Sequence, residues 1–132
     1  MKHIVDAHPL IWFLQQDKRL GLLARQVLSD PQSDLVLPAT AYGEVCWIVE
    51  HGRTNIPSVT VLKAALDADP RITLYPLDQA VVDRSQSLTM ISEMHDRQIT
   101  ATALVLAEQG EQVTLITRDQ NIIASGVVTI LW

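Results

Sequence analysis

The chain has 132 residues, 48% of them hydrophobic and 19% charged, which suits one globular domain with a substantial core and leaves no room for a second. The single Cys46 excludes an internal disulfide, and neither a bilayer-length apolar run nor a signal-peptide pattern is present, so a cytoplasmic protein with no membrane association is expected. A net charge of −5 argues against a general nucleic-acid coat protein, because acidic faces repel phosphate; a nucleic-acid enzyme fits only if its acids hold metal.

Short β-rich runs alternate with helical spacing along the chain. His3-Ile4-Val5 reads as a strand, and Asp6 follows it directly. Pro9 suits the first turn of a helix through Leu10, Phe13 and Leu14, and a second helix follows Gly21 through Leu22, Val27 and Leu28. Leu35-Val36-Leu37 is the next strand, followed by a helix from Thr40 to about His51 that stops at Gly52. Pro57 opens a helix carrying Val61, Ala65 and Leu66, which ends before Pro70. After the strand Ile72-Thr73-Leu74-Tyr75, a helix capped by Asp78 is predicted to run to about Met94. The last long helix begins near Asp96, carries Ile99, Ala103, Leu106 and Ala107, and ends at Gly110. Val113 to Ile116 is a strand, a short helical turn follows Asp119, and Val127 to Leu131 closes the chain as a final strand. Nearly continuous apolar strands separated by helices predict an α/β fold, a central, mostly parallel sheet covered on both faces.

Asp6 and Asp119 both fall at the carboxyl ends of strands, where open parallel sheets bind ligands, and they become neighbours if both strands are central. Each can equally be a turn residue or helix cap. Glu44 shares a helical face with Ala41, Trp47 and Ile48, and it misses the capping-box position, which is occupied by Gly43. Glu50, beside His51 and Arg53 near the helix end, reads as a solvated surface charge. Asp96 is either an N-cap or a carboxylate fixed at a helix amino terminus. Gathered carboxylates repel one another unless a cation screens them, and a hard ion such as Mg²⁺ suits oxygen ligands. Zinc is not indicated, since Cys46 is alone and His3, His8, His51 and His95 lack paired ligand spacing.

Ile4-Val5-Asp6-Ala7-His8-Pro9-Leu10-Ile11-Trp12, Pro38-Ala39-Thr40-Ala41-Tyr42-Gly43-Glu44-Val45, His95 to Ala103, Leu115-Ile116-Thr117-Arg118-Asp119 and the closing Val128 to Trp132 together resemble the motifs of a PIN domain. Within that superfamily the chain is similar to VapC-type toxin ribonucleases, and the resemblance spans nearly its whole length. It implies a PIN-like, Rossmann-like three-layer α/β/α sandwich with four to five strands. It also implies Mg²⁺- or Mn²⁺-dependent cleavage of RNA, with Asp6, Glu44, Asp96 and Asp119 as the metal-binding catalytic quartet and Thr117 as an auxiliary hydroxyl. Where the common form of the third motif has Asp-Pro-Phe before its acid, this chain has Glu93-Met94-His95. A cognate antitoxin and a homodimer are implied as partners.

Arg97 and Arg118 flank site acids and are candidates to guide substrate phosphate, or else to pair with those acids. His8 and His95 adjoin motif acids, which raises a general-base role that a metal-activated water would make unnecessary. Trp12, Phe13 and Trp47 read first as core and second as a partner groove. Two rival readings stand beside the nuclease. One is another metal-dependent phosphohydrolase, against which count the missing Asp-x-Asp after the first strand and the missing Lys after the last. The other is a PIN-fold binding module without catalysis, against which counts the complete acidic set.

Overall fold

The structure, a computed structural model, describes residues 1–132. Its elements run β1 (Lys2–Val5), α1 (Ala7–Leu14), α2 (Leu22–Ser29), β2 (Asp34–Pro38), α3 (Ala39–Glu50), α4 (Val59–Asp67), β3 (Ile72–Tyr75), α5 (Gln79–Gln86), α6 (Met94–Glu108), β4 (Val113–Ile116), α7 (Gln120–Ser125) and β5 (Ile130–Leu131). The five strands form one sheet in the order β3-β2-β1-β4-β5, every pair parallel, within a three-layer α/β arrangement. Parallel neighbours require a crossover between them, and the helices supply it.

The sheet order explains the hydrophobic pattern. β1, β2 and β4 are interior strands, and Ile4, Val5, Leu35, Val36, Leu37, Leu115 and Ile116 are all buried. β3 is an edge strand and leaves Thr73 and Leu74 exposed. α6 is buried on two sides: Ile99, Ala103 and Leu106 join the main core, whereas Ala101 and Val105 pack with Val81, Leu88 and Ile91 in a smaller one. Small residues on that helix let it pack closely in both directions. No helix is long and apolar enough to cross a membrane.

The chain departs from the sequence reading in two elements. The helix expected from Asp78 to about Met94 ends at Gln86, and turns lead from there to α6. Ser85 and Ser87 donate their hydroxyls back to the carbonyls of Val82 and Arg84, a local pairing that competes with helix propagation. Glu93 then caps α6 through the Asp96 N–H at 2.8 Å, so Asp96 is a first-turn residue and not the cap. The closing strand is only Ile130–Leu131, opposite Leu115 and Ile116; Gly126 turns the chain at φ +66° and only Thr129, through its carbonyl, reaches β4 from the preceding residues.

Candidate active site

Strand order reverses between β1 and β4: the chain builds outward from β1 through β2 to β3, then returns to the other side for β4 and β5. A crevice forms at such a point beyond the carboxyl ends of the strands. Asp6 and Asp119 stand there. Val5 is in register with Ile116, and the Asp6 N–H donates to the Ile116 carbonyl at 3.1 Å.

Three residues interlock at this junction. Asp6 caps α1, its Oδ1 accepting the Ala7 N–H at 2.7 Å, while Oδ2 accepts the hydroxyl of Thr117 at 2.6 Å. Thr117 is fully buried, and its Oγ1 in turn accepts the Asp119 N–H at 3.0 Å. Asp119 caps α7, with Oδ1 accepting from Asn121 and Ile122 at 2.9 and 3.0 Å. The cap and the site readings of both aspartates therefore coexist: capping fixes one carboxylate oxygen of each and orients the other.

Glu44 and Asp96 approach from α3 and α6. These helices are tied together where the Thr40 hydroxyl donates to Gln98 Oε1 at 2.9 Å. The buried stripe of α3 is Ala41, Val45 and Val49, so Glu44 lies on its border, half-buried. This corrects the expectation that Trp47 shares the core face with Glu44. Trp47 is 57% exposed, whereas Trp12 is buried and Phe13 partly so. Glu44 Oε1 is buried without a hydrogen-bond partner, and the nearest cationic candidate, His95 Nδ1, is 3.8 Å away. The Thr100 hydroxyl, one turn after Asp96 on α6, is likewise buried and unpaired.

The fields of these carboxylates overlap. Burial, then repulsion from Asp6, Asp96, Glu93 and Asp119, pushes Glu44 up to about 7. Burial, then repulsion from Asp119, Glu93 and Asp6, pushes Asp96 up to about 7. Asp6 is raised chiefly by burial, against the opposing hydrogen bonds from Thr117 and Ala7. Glu93 is a fifth carboxylate that the motif reading did not place in the site; the signal was available in its spacing, three residues before Asp96, where it serves as both cap and field.

Such an acid set fits a divalent cation, which would relieve the repulsion and give the orphaned Glu44 oxygen a partner. No three of the chain's His, Cys, Asp or Glu side chains converge closely enough to enclose an ion alone.

Beside Asp6 and Asp119 lies an open cleft of about 560 Å³, walled by His8, Trp12, Arg19 and Arg118. Arg118 is exposed. Arg19, which the motif reading missed because it lies outside every motif, sits 4.9 Å over the Trp12 ring and pairs with Asp17 at 2.8 Å. Arg97 is half-buried and gives its Nε–H to the Ile91 carbonyl, bracing the turn before α6 and forming no ion pair with the site acids. His8 is exposed and tilted against Trp12 at 5.7 Å.

Residues 3–125 match the PIN domain family, and the chain belongs to it. Its fold is that of VapBC-1 from nontypeable Haemophilus influenzae, at 15% identity and a TM-score of 0.70, covering 98% of this chain and 96% of that one. It is equally similar to Mycobacterium tuberculosis VapC20, described as a sarcin-ricin loop cleaving toxin, at 15% identity and a TM-score of 0.69 over 98% and 99% of the two chains. FitAB bound to an IR36 DNA fragment matches at 16% identity and a TM-score of 0.60, covering 97% and 92%. No curated protein matches the sequence.

Proposed function

We propose that the chain is a divalent-metal-dependent endoribonuclease and the toxin of a toxin–antitoxin pair. The observation that carries this reading is that Asp6, Glu44, Asp96 and Asp119, brought from four separate segments, stand close enough for their fields to overlap, with Glu44 and Asp96 pushed up to about 7 by burial and by the surrounding carboxylates. Structural ion pairing does not account for acids that face acids. Membership of the PIN family and the fold shared with VapC20 support nuclease chemistry over another phosphohydrolase or a catalytically silent module.

Asp6 and Asp119 would hold Mg²⁺ or Mn²⁺, with Glu44 and Asp96 completing the shell directly or through water. When bound, the cation supplies Lewis-acid neutralisation of the phosphoryl oxygens. Thr117 holds Asp6 in one orientation through its hydroxyl, so the carboxylate need not reorganise when substrate arrives. Glu44 and Asp96 would orient the attacking water, one of the two carboxylates taking its proton as the new P–O bond forms and the proton passing to the leaving ribose oxygen as the old P–O bond breaks. Arg118, exposed at the rim of the cleft, guides the RNA backbone, and Arg19 extends that basic edge.

A cognate antitoxin and a homodimer belong to the same reading. Leu22 and Leu23 on α2 and Val61 on α4 are large apolar side chains left exposed, and a separate groove between α1 and α4 is walled by Leu14, Ile56, Val61 and Ala65. VapBC-1 and FitAB, which share the fold, support a partner of this kind. The direct test is Mg²⁺-dependent cleavage of RNA by the purified chain, with p-nitrophenyl phosphate as the phosphatase control. Hydrolysis of the ester with RNA left intact sinks the nuclease assignment.

A further inference from the structure

On the other side of Glu44, α3, α6 and the segment after β3 border a second open groove of about 700 Å³. Thr40, Gly43, Glu44, Trp47, Leu77 and Gln98 are among its walls. Trp47 lines it with its ring stacked on His51 at 3.9 Å between centroids and 28° between planes. The histidine covers one face of the indole and steadies it, which leaves the opposite face for another planar group.

Gly43 lies in the middle of α3, one turn before Trp47, where glycine weakens a helix relative to alanine. Packing does not explain it, because a Cβ there would meet nothing within 4 Å. What its missing side chain provides is open floor beside the indole. Gln98 contributes the third feature: its Oε1 accepts from Thr40, while its amide NH₂ has no acceptor in the chain. Its two N–H donors thus stand unpaired on a residue that lines the same groove as Trp47.

The geometry points to this groove as a subsite for an unpaired nucleobase of single-stranded RNA, stacked on Trp47 above Gly43 with its edge met by the Gln98 amide. The inference rests on the nuclease reading and extends it. Glu44 and His95 border the groove, and Glu44 also belongs to the carboxylate set, so the two sites are continuous. With a divalent cation on the carboxylates, as the nuclease reading requires, an occupant spanning both carries a planar apolar group joined to an anionic one. A nucleotide has that chemistry, and stacking on an indole is tolerant of base identity, leaving Gln98 to bias the choice.

The test compares wild type with Trp47→Ala, Trp47→Phe and Gly43→Leu, all as the full chain. Two readouts are taken: kcat and KM for Mg²⁺-dependent cleavage of an unstructured RNA oligonucleotide, and anisotropy binding, with Ca²⁺ replacing Mg²⁺, of oligonucleotides in which one abasic site is walked along the strand. Trp47→Ala is expected to raise KM about 10-fold or more with kcat nearly unchanged, while Trp47→Phe stays within about 3-fold of wild type. Gly43→Leu is expected to raise KM without lowering Tm, which separates a filled slot from a damaged helix. One abasic position should weaken binding to wild type and add nothing to the loss in Trp47→Ala. An unchanged KM in Trp47→Ala, or equal abasic costs in both proteins, overturns the subsite while intact cleavage retains the nuclease. If wild type cleaves no RNA yet one abasic position still couples to Trp47, the nuclease fails and the base subsite stands.

Discussion

The Thr117 hydroxyl donates to Asp6 Oδ2 at 2.6 Å and accepts the Asp119 N–H at 3.0 Å, so one buried side chain joins the two aspartates at the strand switch. Thr117→Val keeps the shape and removes both bonds, leaving a buried carboxylate oxygen and a backbone donor unpaired. A loss of about 1–3 kcal/mol is expected. Cleavage should fall with it, and Thr117→Ser should restore most of both. Thermal denaturation and cleavage of the three proteins decide the matter; a Val variant as active as wild type removes Thr117 from the site.

Asp6→Asn and Asp119→Asn are each expected to abolish metal-dependent cleavage, by about 10²-fold or more, without unfolding the chain. Asparagine can still accept the Ala7 N–H at the first position, and the Asn121 and Ile122 N–H groups at the second, so both caps survive. Removing a charge from a repelling set leaves metal-free stability unchanged or raises it. Circular dichroism beside the activity assay separates the two effects: activity lost together with the fold, or retained in both variants, defeats the assignment.

The main features of the switch point were legible because Asp6 and Asp119 each follow a strand and cap the helix after it. Asp6 and Asp119 could be placed as neighbours on the condition that both their strands are central, and β1 and β4 are interior and adjacent. The segment between α5 and α6 was not legible. Val81, Leu88 and Ile91 keep helix-like apolar spacing through it and all pack into the second core, so periodicity continues after the helix has ended. Trp47 was misplaced for a related reason: helical spacing groups it with Ala41 and Glu44, but the core takes the adjacent row of Val45 and Val49. Glu93 lay outside the matched motif, and its field on Glu44 arises from α6 packing beside α3, which local sequence does not encode.

The site acids should make metal-free stability fall as pH rises. Glu44 and Asp96 are both raised to about 7, above their ordinary values of 4.5 and 3.8. Between those limits the folded chain retains protons that the unfolded chain has released, so folding weakens through that window and the loss is complete above about pH 7. Both groups keep some contact with solvent, which reduces the cost to about 1–3 kcal/mol in all, or several degrees in Tm. Calorimetry in chelator from about pH 5 to about pH 8 should show that decline, and saturating Mg²⁺ should raise Tm more at the alkaline end. A Tm that rises across this range contradicts the clustered-acid account.

Glu44→Gln and Glu50→Gln test whether the helix border, and not the helix as a whole, builds the site. Both residues lie on α3, and where Glu44 is ionised, with metal bound or above about pH 7, both changes remove one negative charge from the chain. Glu44 borders the core with an unpartnered oxygen among other acids, whereas Glu50 is exposed at the last helical position. A long-range effect of net charge would therefore act on the two variants alike, and a local one only on the first. Glu44→Gln is expected to need about 10-fold more Mg²⁺ for half-maximal cleavage, a figure typical of losing a residue that supports a metal site. It should also gain metal-free stability near neutral pH, because the neutral amide no longer faces Asp6, Asp96 and Asp119. Glu50→Gln should follow the wild-type Mg²⁺ titration and keep its Tm within a degree or so, as isolated surface substitutions do. Superimposable metal titrations for the two variants would place Glu44 outside the site and leave the crevice to the acids of β1, β4 and α6.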